Sequence, residues 1–150
     1  MIGIKEFRIL SNLRHNSREK LTSIAKTTNM PVSTVFDKIR RYEENSIIKR
    51  HISLLDFSKL GYEVDVCILL KVEKEEREKL REFLNGKECL NSIFKISNGY
   101  DFFVEGIFRD MQHQQDFIDE VEENFTLIRN DVFYIVNEMK REEFLNGKNN

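Results

Sequence analysis

The chain has 150 residues, 40% of them apolar and a third charged, with 12 Phe, 4 Tyr and no Trp. That is enough apolar material for one domain or two small ones, and no run approaches the roughly 18 apolar residues of a membrane-crossing helix. The formal charge of −2 conceals an asymmetry: residues 1–61 hold 12 Lys/Arg against 6 Asp/Glu, and residues 62–150 hold 12 against 20. A basic segment suits a polyanion and an acidic one repels it, which places any nucleic-acid contact in the first 61 residues.

Ile4, Phe7, Leu10 and Leu13, with Ile9, recur at helical spacing, predicting an amphipathic helix over residues 3–14. Leu21, Ile24 and Ala25 mark a second, short helix over about 19–27. The "TNM" that follows is a tight turn in which Asn29 suits the left-handed conformation. A third helix is expected over about 32–45, with Val32, Val35, Ile39 and Tyr42 on its inner face. Two short helices on a tight turn form a helix-turn-helix pattern. "SIIKRHISLL" reads as a strand or small hairpin with basic residues at its middle, a wing, and "DFSKLGY" as a connector closing a domain of residues 1–61.

If the third helix enters a major groove, its outward N-terminal residues meet base edges, which makes Ser33, Thr34, Asp37 and Lys38 candidate readers. Asp37 suits a cytosine amino group and Lys38 suits guanine. Arg40, Arg41, Lys49 and Arg50 lie later and suit phosphates. Phe36, next to the inward Val35, is expected to complete the core, with a thymine methyl as its other available contact. The plain alternative is a solvated helix face. The basic charge, the wing and the helix order weigh toward DNA.

The period then changes. "VDVCILLKV" is a strand with Val64, Val66, Ile68, Leu70 and Val72 on one face. "KEEREKLREFLNG" is a helix buried along Leu80, Phe83 and Leu84 and stopped at Asn85-Gly86. "CLNSIFKI" and "YDFFVEGIF" are strands joined by "SNG". "MQHQQDFIDEVEENF" is a helix, and "DVFYIVNEM" a last strand. The order β-α-β-β-α-β over residues 62–140 is that of a ferredoxin-like domain. The fold class is therefore α+β, a winged helix-turn-helix followed by a ferredoxin-like βαββαβ unit. Its two helices cover one sheet face, while Cys67, Leu69, Phe103, Ile107, Phe133 and Ile135 make the other face apolar. That predicts a homodimer through the sheets. Residues 141–150 are a tail, expected as a frayed helix or disordered.

These residues carry a family likeness. "ILSNLRHNSREKLTSIAKTTNMPVSTVFDKIRRYEENSIIKR" resembles the DNA-binding half of the Lrp/AsnC (feast/famine) regulators, and "LGYEVDVCILLKV" resembles their passage into the effector half. "SNGYDFFVEGIF" is similar to their "TGxYD" strand-turn. The resemblance implies promoter binding to double-stranded DNA and dimers that assemble further, often to octamers. It also implies a small effector, commonly an amino acid, bound between effector domains, with Asn98, Gly99, Tyr100 and Asp101 at the matching positions. Asn-Gly is also the favoured two-residue hairpin turn and needs no ligand to explain it. Asn29 and Asn98 stand where the family usually has Gly, and Pro31-Val32 replaces its Ser-Pro, removing the side-chain cap of the third helix.

Two other readings stay open. One is a ligand-binding or architectural module that does not read sequence. The other is an enzyme like the sirohaem decarboxylases, which share this two-domain build and use His and Arg; here only His51 beside Arg50 is suggestive. There is no Gly-rich phosphate loop, no nucleophile-base pair, no CxxC and no His/Cys cluster. No enzyme activity, metal or cofactor is expected. The start "MIGIKEFRIL" lacks the features of a secretion signal, so a cytoplasmic protein with reduced thiols is expected.

Overall fold

The computed structural model describes residues 2–146, which form two compact units, one of residues up to Leu54 together with those from Met139, the other Leu55–Glu138. In the first unit, α1 (Ile4–His15), α2 (Leu21–Thr28) and α3 (Val32–Glu44) surround a small core of Ile9, Ile24, Ala25, Val35 and Tyr42. Ala25 lets α2 and α3 approach closely. Asn29 takes φ 51° and ψ 52°, and the Met30 N–H donates back to the Ala25 carbonyl at 3.1 Å. This satisfies the last carbonyls of α2 and reverses the chain in a left-handed turn, as its sequence predicts. Pro31 precedes α3 and supplies no side-chain cap.

Four expectations for this unit are corrected. Phe36 is 53% exposed and does not complete the core, and Val32 is 42% exposed. At about 100° per residue, the buried stripe runs along Val35, Ile39 and Tyr42, and both side chains fall beyond its edge. The segment "SIIKRHISLL" forms no strand: the Ile48 N–H closes onto the Tyr42 carbonyl at 3.0 Å, and residues 49–55 run without a ladder partner. Its β-branched composition is real, but a strand needs a second one and this unit has none among the described residues. Residues 141–146 are not helical. The Arg14 guanidinium donates to the carbonyls of Glu142 (3.0 Å) and Phe144 (3.1 Å) and pairs with the Glu142 carboxylate at 2.8 Å. The remaining residues of the tail, 147–150, lie outside the described residues.

The second unit opens with a 3-10 turn, Phe57–Leu60, ended by left-handed Gly61 (φ 86°). Then follow β1 (Val64–Val72), α4 (Arg77–Asn85), β2 (Leu90–Lys95), β3 (Phe102–Phe108), α5 (Met111–Asn124) and β4 (Leu127–Tyr134). The sheet order is β2-β3-β1-β4, antiparallel throughout, the ferredoxin-like topology that the element order predicts. Strict alternation along β1 buries Val64, Val66, Ile68, Leu70 and Val72 against α4 and α5. Phe108 folds its ring over Gly106, where a Cβ would collide with it. Gly86 keeps a right-handed conformation (φ −82°), so α4 ends in a tightened turn, with Gly86 N–H on the Glu82 and Phe83 carbonyls, and without a left-handed cap. β4 begins four residues before "DVFYIVNEM", because Leu127 lies opposite Val72, and it stops at Tyr134.

Candidate nucleic-acid interface and effector turn

The outer face of α3 presents Ser33, Phe36, Asp37 and Arg40, all exposed and spaced i, i+3, i+4, i+7, with exposed Arg41 beside them. Thr34 is half-buried. Lys38 is set apart from the other candidate readers. Its Nζ lies 2.5 Å from Glu6 Oε1 of α1, and both side chains are about three-quarters covered. Lys38 and then the Gly3 N–H hold the Glu6 carboxyl below its ordinary pKa. This pair ties α3 to α1 and draws the Lys38 ammonium toward the first helix. Arg40 pairs with Glu44 at 2.9 Å on an open surface, a contact weak enough to exchange for a phosphate. Lys49 and Arg50 are exposed on the irregular segment after α3. His51 Nε2 sits 2.9 Å from Glu43 Oε1, so the side chain that suggested an enzyme is engaged with the helix beside it.

In the second unit, Asn98 (φ 67°) and Gly99 (φ 95°) occupy the two left-handed positions of the β2–β3 hairpin, closed by the Ile96 N–H on the Asp101 carbonyl at 3.0 Å. Asn98 and Gly99 are exposed, whereas Asp101 is buried and fully used. Its carboxylate accepts the Val72 N–H at 3.1 Å and pairs with Arg77 Nε at 2.7 Å, fastening the turn to the end of β1. The Tyr100 hydroxyl donates to Asp131, which raises the Tyr100 pKa. Arg129 lies over the Tyr100 ring at 4.8 Å and pairs with Asp131 at 2.9 Å. Sequence reasoning passes over Arg129 and Asp131. Their i, i+2 spacing in a strand was the available sign that they share a face, but only the sheet order brings that face beside Tyr100.

Asp131 lies opposite Leu69 on the sheet face that the helices leave uncovered. Cys67, Leu69, Phe103, Phe133 and Ile135 are at least partly exposed there, while Ile107 is already buried. Phe94 of β2 joins them, its ring 5.9 Å from that of Phe103. The face was legible from β1, β3 and β4; Phe94 was missed because a register irregularity in β2 shifts its alternation.

No protein-family model matches the chain. It is 30% identical over 118 residues to an uncharacterised HTH-type transcriptional regulator of Pyrococcus furiosus, covering 79% of this chain and 80% of that protein. The fold matches that of Bacillus subtilis LrpC with a TM-score of 0.84 at 16% identity, covering 93% of this chain and 98% of the other. It also matches a transcriptional regulator of Neisseria meningitidis solved in complex with L-Met, with a TM-score of 0.87 at 17% identity and 94% of each chain. With its helix-turn-helix unit, its ferredoxin-like unit and these relatives, the chain belongs to the Lrp/AsnC family of HTH-type transcriptional regulators.

Proposed function

We propose that this regulator reads double-stranded DNA through α3, as a homodimer joined through the open faces of its sheets. The observation that carries the reading is the exposed stripe Ser33, Asp37, Arg40 and Arg41 on the second helix of a helix-turn-helix, within a segment of net positive charge. Ser33, Thr34 and Asp37 meet base edges, and Lys38 joins them once it leaves Glu6. Arg40, Arg41, Lys49 and Arg50 take phosphates. The open sheet faces meet between copies, since Leu69, Phe94, Phe103 and Phe133 form an apolar patch that water leaves unfavourably exposed.

The effector is an amino acid or a similarly small zwitterion, the class that the L-Met complex of the Neisseria regulator represents. It sits at the hairpin of Asn98, Gly99 and Tyr100, with Asp101 holding the turn in place. Dimers assemble further, to octamers, and the effector acts by altering that assembly. The protein works in the cytoplasm, where its operator is.

The test is fluorescence anisotropy with a labelled duplex from the gene's own upstream region and a scrambled control, at low and near-physiological salt. Tighter binding to the native duplex that survives the higher salt is expected. Equal binding to both, abolished by salt, would mean charge without readout and would favour an architectural module.

A further inference from the structure

The outer face of α3 carries one feature that neither phosphate binding nor hydrogen-bonded readout uses. Phe36 is 53% exposed, and Val32, one turn earlier on the same side, is 42% exposed. Single exposed apolar residues are common on protein surfaces, so exposure alone says little. Position says more. Ser33 lies three residues before Phe36, Asp37 follows it and Arg40 is one turn on, so Phe36 borders the polar stripe, with exposed Val32 as its apolar neighbour one turn before. Whatever receives Ser33, Asp37 and Arg40 receives the Phe36 ring with them. The occupant that the net positive charge of residues 1–61 favours is a polyanion.

A DNA major groove offers an apolar side chain only one apolar partner, the 5-methyl group of thymine. We infer that Phe36, with Val32 one turn before it on the same side, is a specificity-determining residue that selects a T·A pair in each half-site by contact with that methyl group. This rests on the reading that α3 enters the major groove. It adds a role that differs in kind: Asp37 selects by a hydrogen bond, whereas Phe36 selects by excluding water from a methyl. It also gives α3 an apolar reader beside its hydrogen-bonding ones.

The experiment separates the inference from the reading beneath it. Duplexes are selected from a random pool by the full-length protein, and in the enriched site each thymine is replaced singly by deoxyuridine, which removes the methyl and nothing else. Affinities are measured by anisotropy for the wild type and for Phe36→Ala and Phe36→Leu. At one thymine per half-site, loss of the methyl is expected to weaken wild-type binding about fourfold, the worth of one buried methyl, and by about the square of that when both half-sites are changed. Phe36→Ala should bind the thymine duplex more weakly and be indifferent to uracil at that position, while Phe36→Leu keeps a reduced sensitivity. A wild type indifferent to uracil everywhere, or a Phe36→Ala variant that keeps the full sensitivity, overturns the inference and leaves DNA reading by α3 intact. Failure to enrich any site overturns that reading itself and the inference with it. The helical circular dichroism of each variant is compared with wild type, and because Phe36 makes no part of the core it should be unchanged.

Discussion

Among the described residues, each unit leaves uncovered a face that holds an exposed phenylalanine: Phe36 at 53% on α3 and Phe133 at 54% on the sheet. By exposure the two are the same. Their neighbours differ. Phe36 stands among Ser33, Asp37 and Arg40, whereas Phe133 pairs across to Cys67 and shares its face with Leu69 and Phe103. The first face has a charged partner's chemistry with Phe36 and Val32 along its edge. The second carries an apolar patch of Leu69, Phe94, Phe103 and Phe133, with Lys71, Arg129 and Asp131 toward one end of the face, Glu105 opposite Cys67 and Asp65 opposite Ile107. What covers a surface is therefore read from the company an exposed residue keeps, since single exposed apolar groups are ordinary and contiguous ones are not.

The comparison is most easily broken at the sheet. Leu69→Glu would bury an unpaired carboxylate in a sheet-to-sheet contact, at a cost of about 3 kcal/mol or more. The dimer should then dissociate at least about a hundredfold more readily in sedimentation equilibrium, with the unit's thermal unfolding little changed. A variant that remains dimeric at micromolar concentration would mean that the sheet face is not the contact. On the other face, Arg41→Ala should weaken binding about tenfold on every duplex tried and flatten the salt dependence by about 0.9 in log–log slope. An effect confined to one sequence would make Arg41 a reader. Arg40→Ala should do less, because Arg40 already has Glu44 as a partner.

Smaller effects sharpen how α3 is held. Asn29→Val places a β-branched residue at φ 51° and should cost ~1 kcal/mol or more in thermal unfolding, whereas Asn29→Gly should be near neutral. The Glu6–Lys38 pair should show itself in pH dependence. Since the folded protein holds the Glu6 carboxyl below its ordinary pKa, the pair stabilises above the ordinary carboxylate value and that contribution is lost as pH falls through the lowered one. The stability difference between wild type and Glu6→Gln, followed by urea unfolding, should therefore be present at neutral pH and vanish on acidification. A difference that is the same at every pH would show that the carboxylate charge plays no part in joining α1 to α3.

Most of the architecture was legible because periodicity reports it directly. The alternation of β1 and the spacing of α4 state which side is buried, whereas in α1 the expected Ile4 and Phe7 are exposed and Ile9 is the buried residue, and in α3 Val35 and Tyr42 are buried but Val32 is not. Asn29 and Asn98-Gly99 announce left-handed turns for the same steric reason. What escaped depends on partners that are distant in sequence. "SIIKRHISLL" has a strand's composition, but strand formation is decided by whether a neighbour exists. Phe36 lies just past the edge of a buried stripe whose width is set by how closely α1 and α2 approach. Lys38 was expected to face outward because helical phase alone says so, and Glu6, 32 residues earlier, draws it back. Arg129 and Asp131 reach Tyr100 only because β4 lies next to β1.

The ion pair between Arg14 and Glu142 has a consequence for the order in which the protein is made. The two residues are 128 positions apart, and the effector unit lies between them. At about 5–20 residues per second of synthesis, roughly 10 s separates the emergence of α1 from that of the segment that accepts its guanidinium. The helix-turn-helix thus forms first but is finished last. A nascent chain cut short anywhere in the effector unit would present α1 with an unoccupied arginine and no acidic segment beside it.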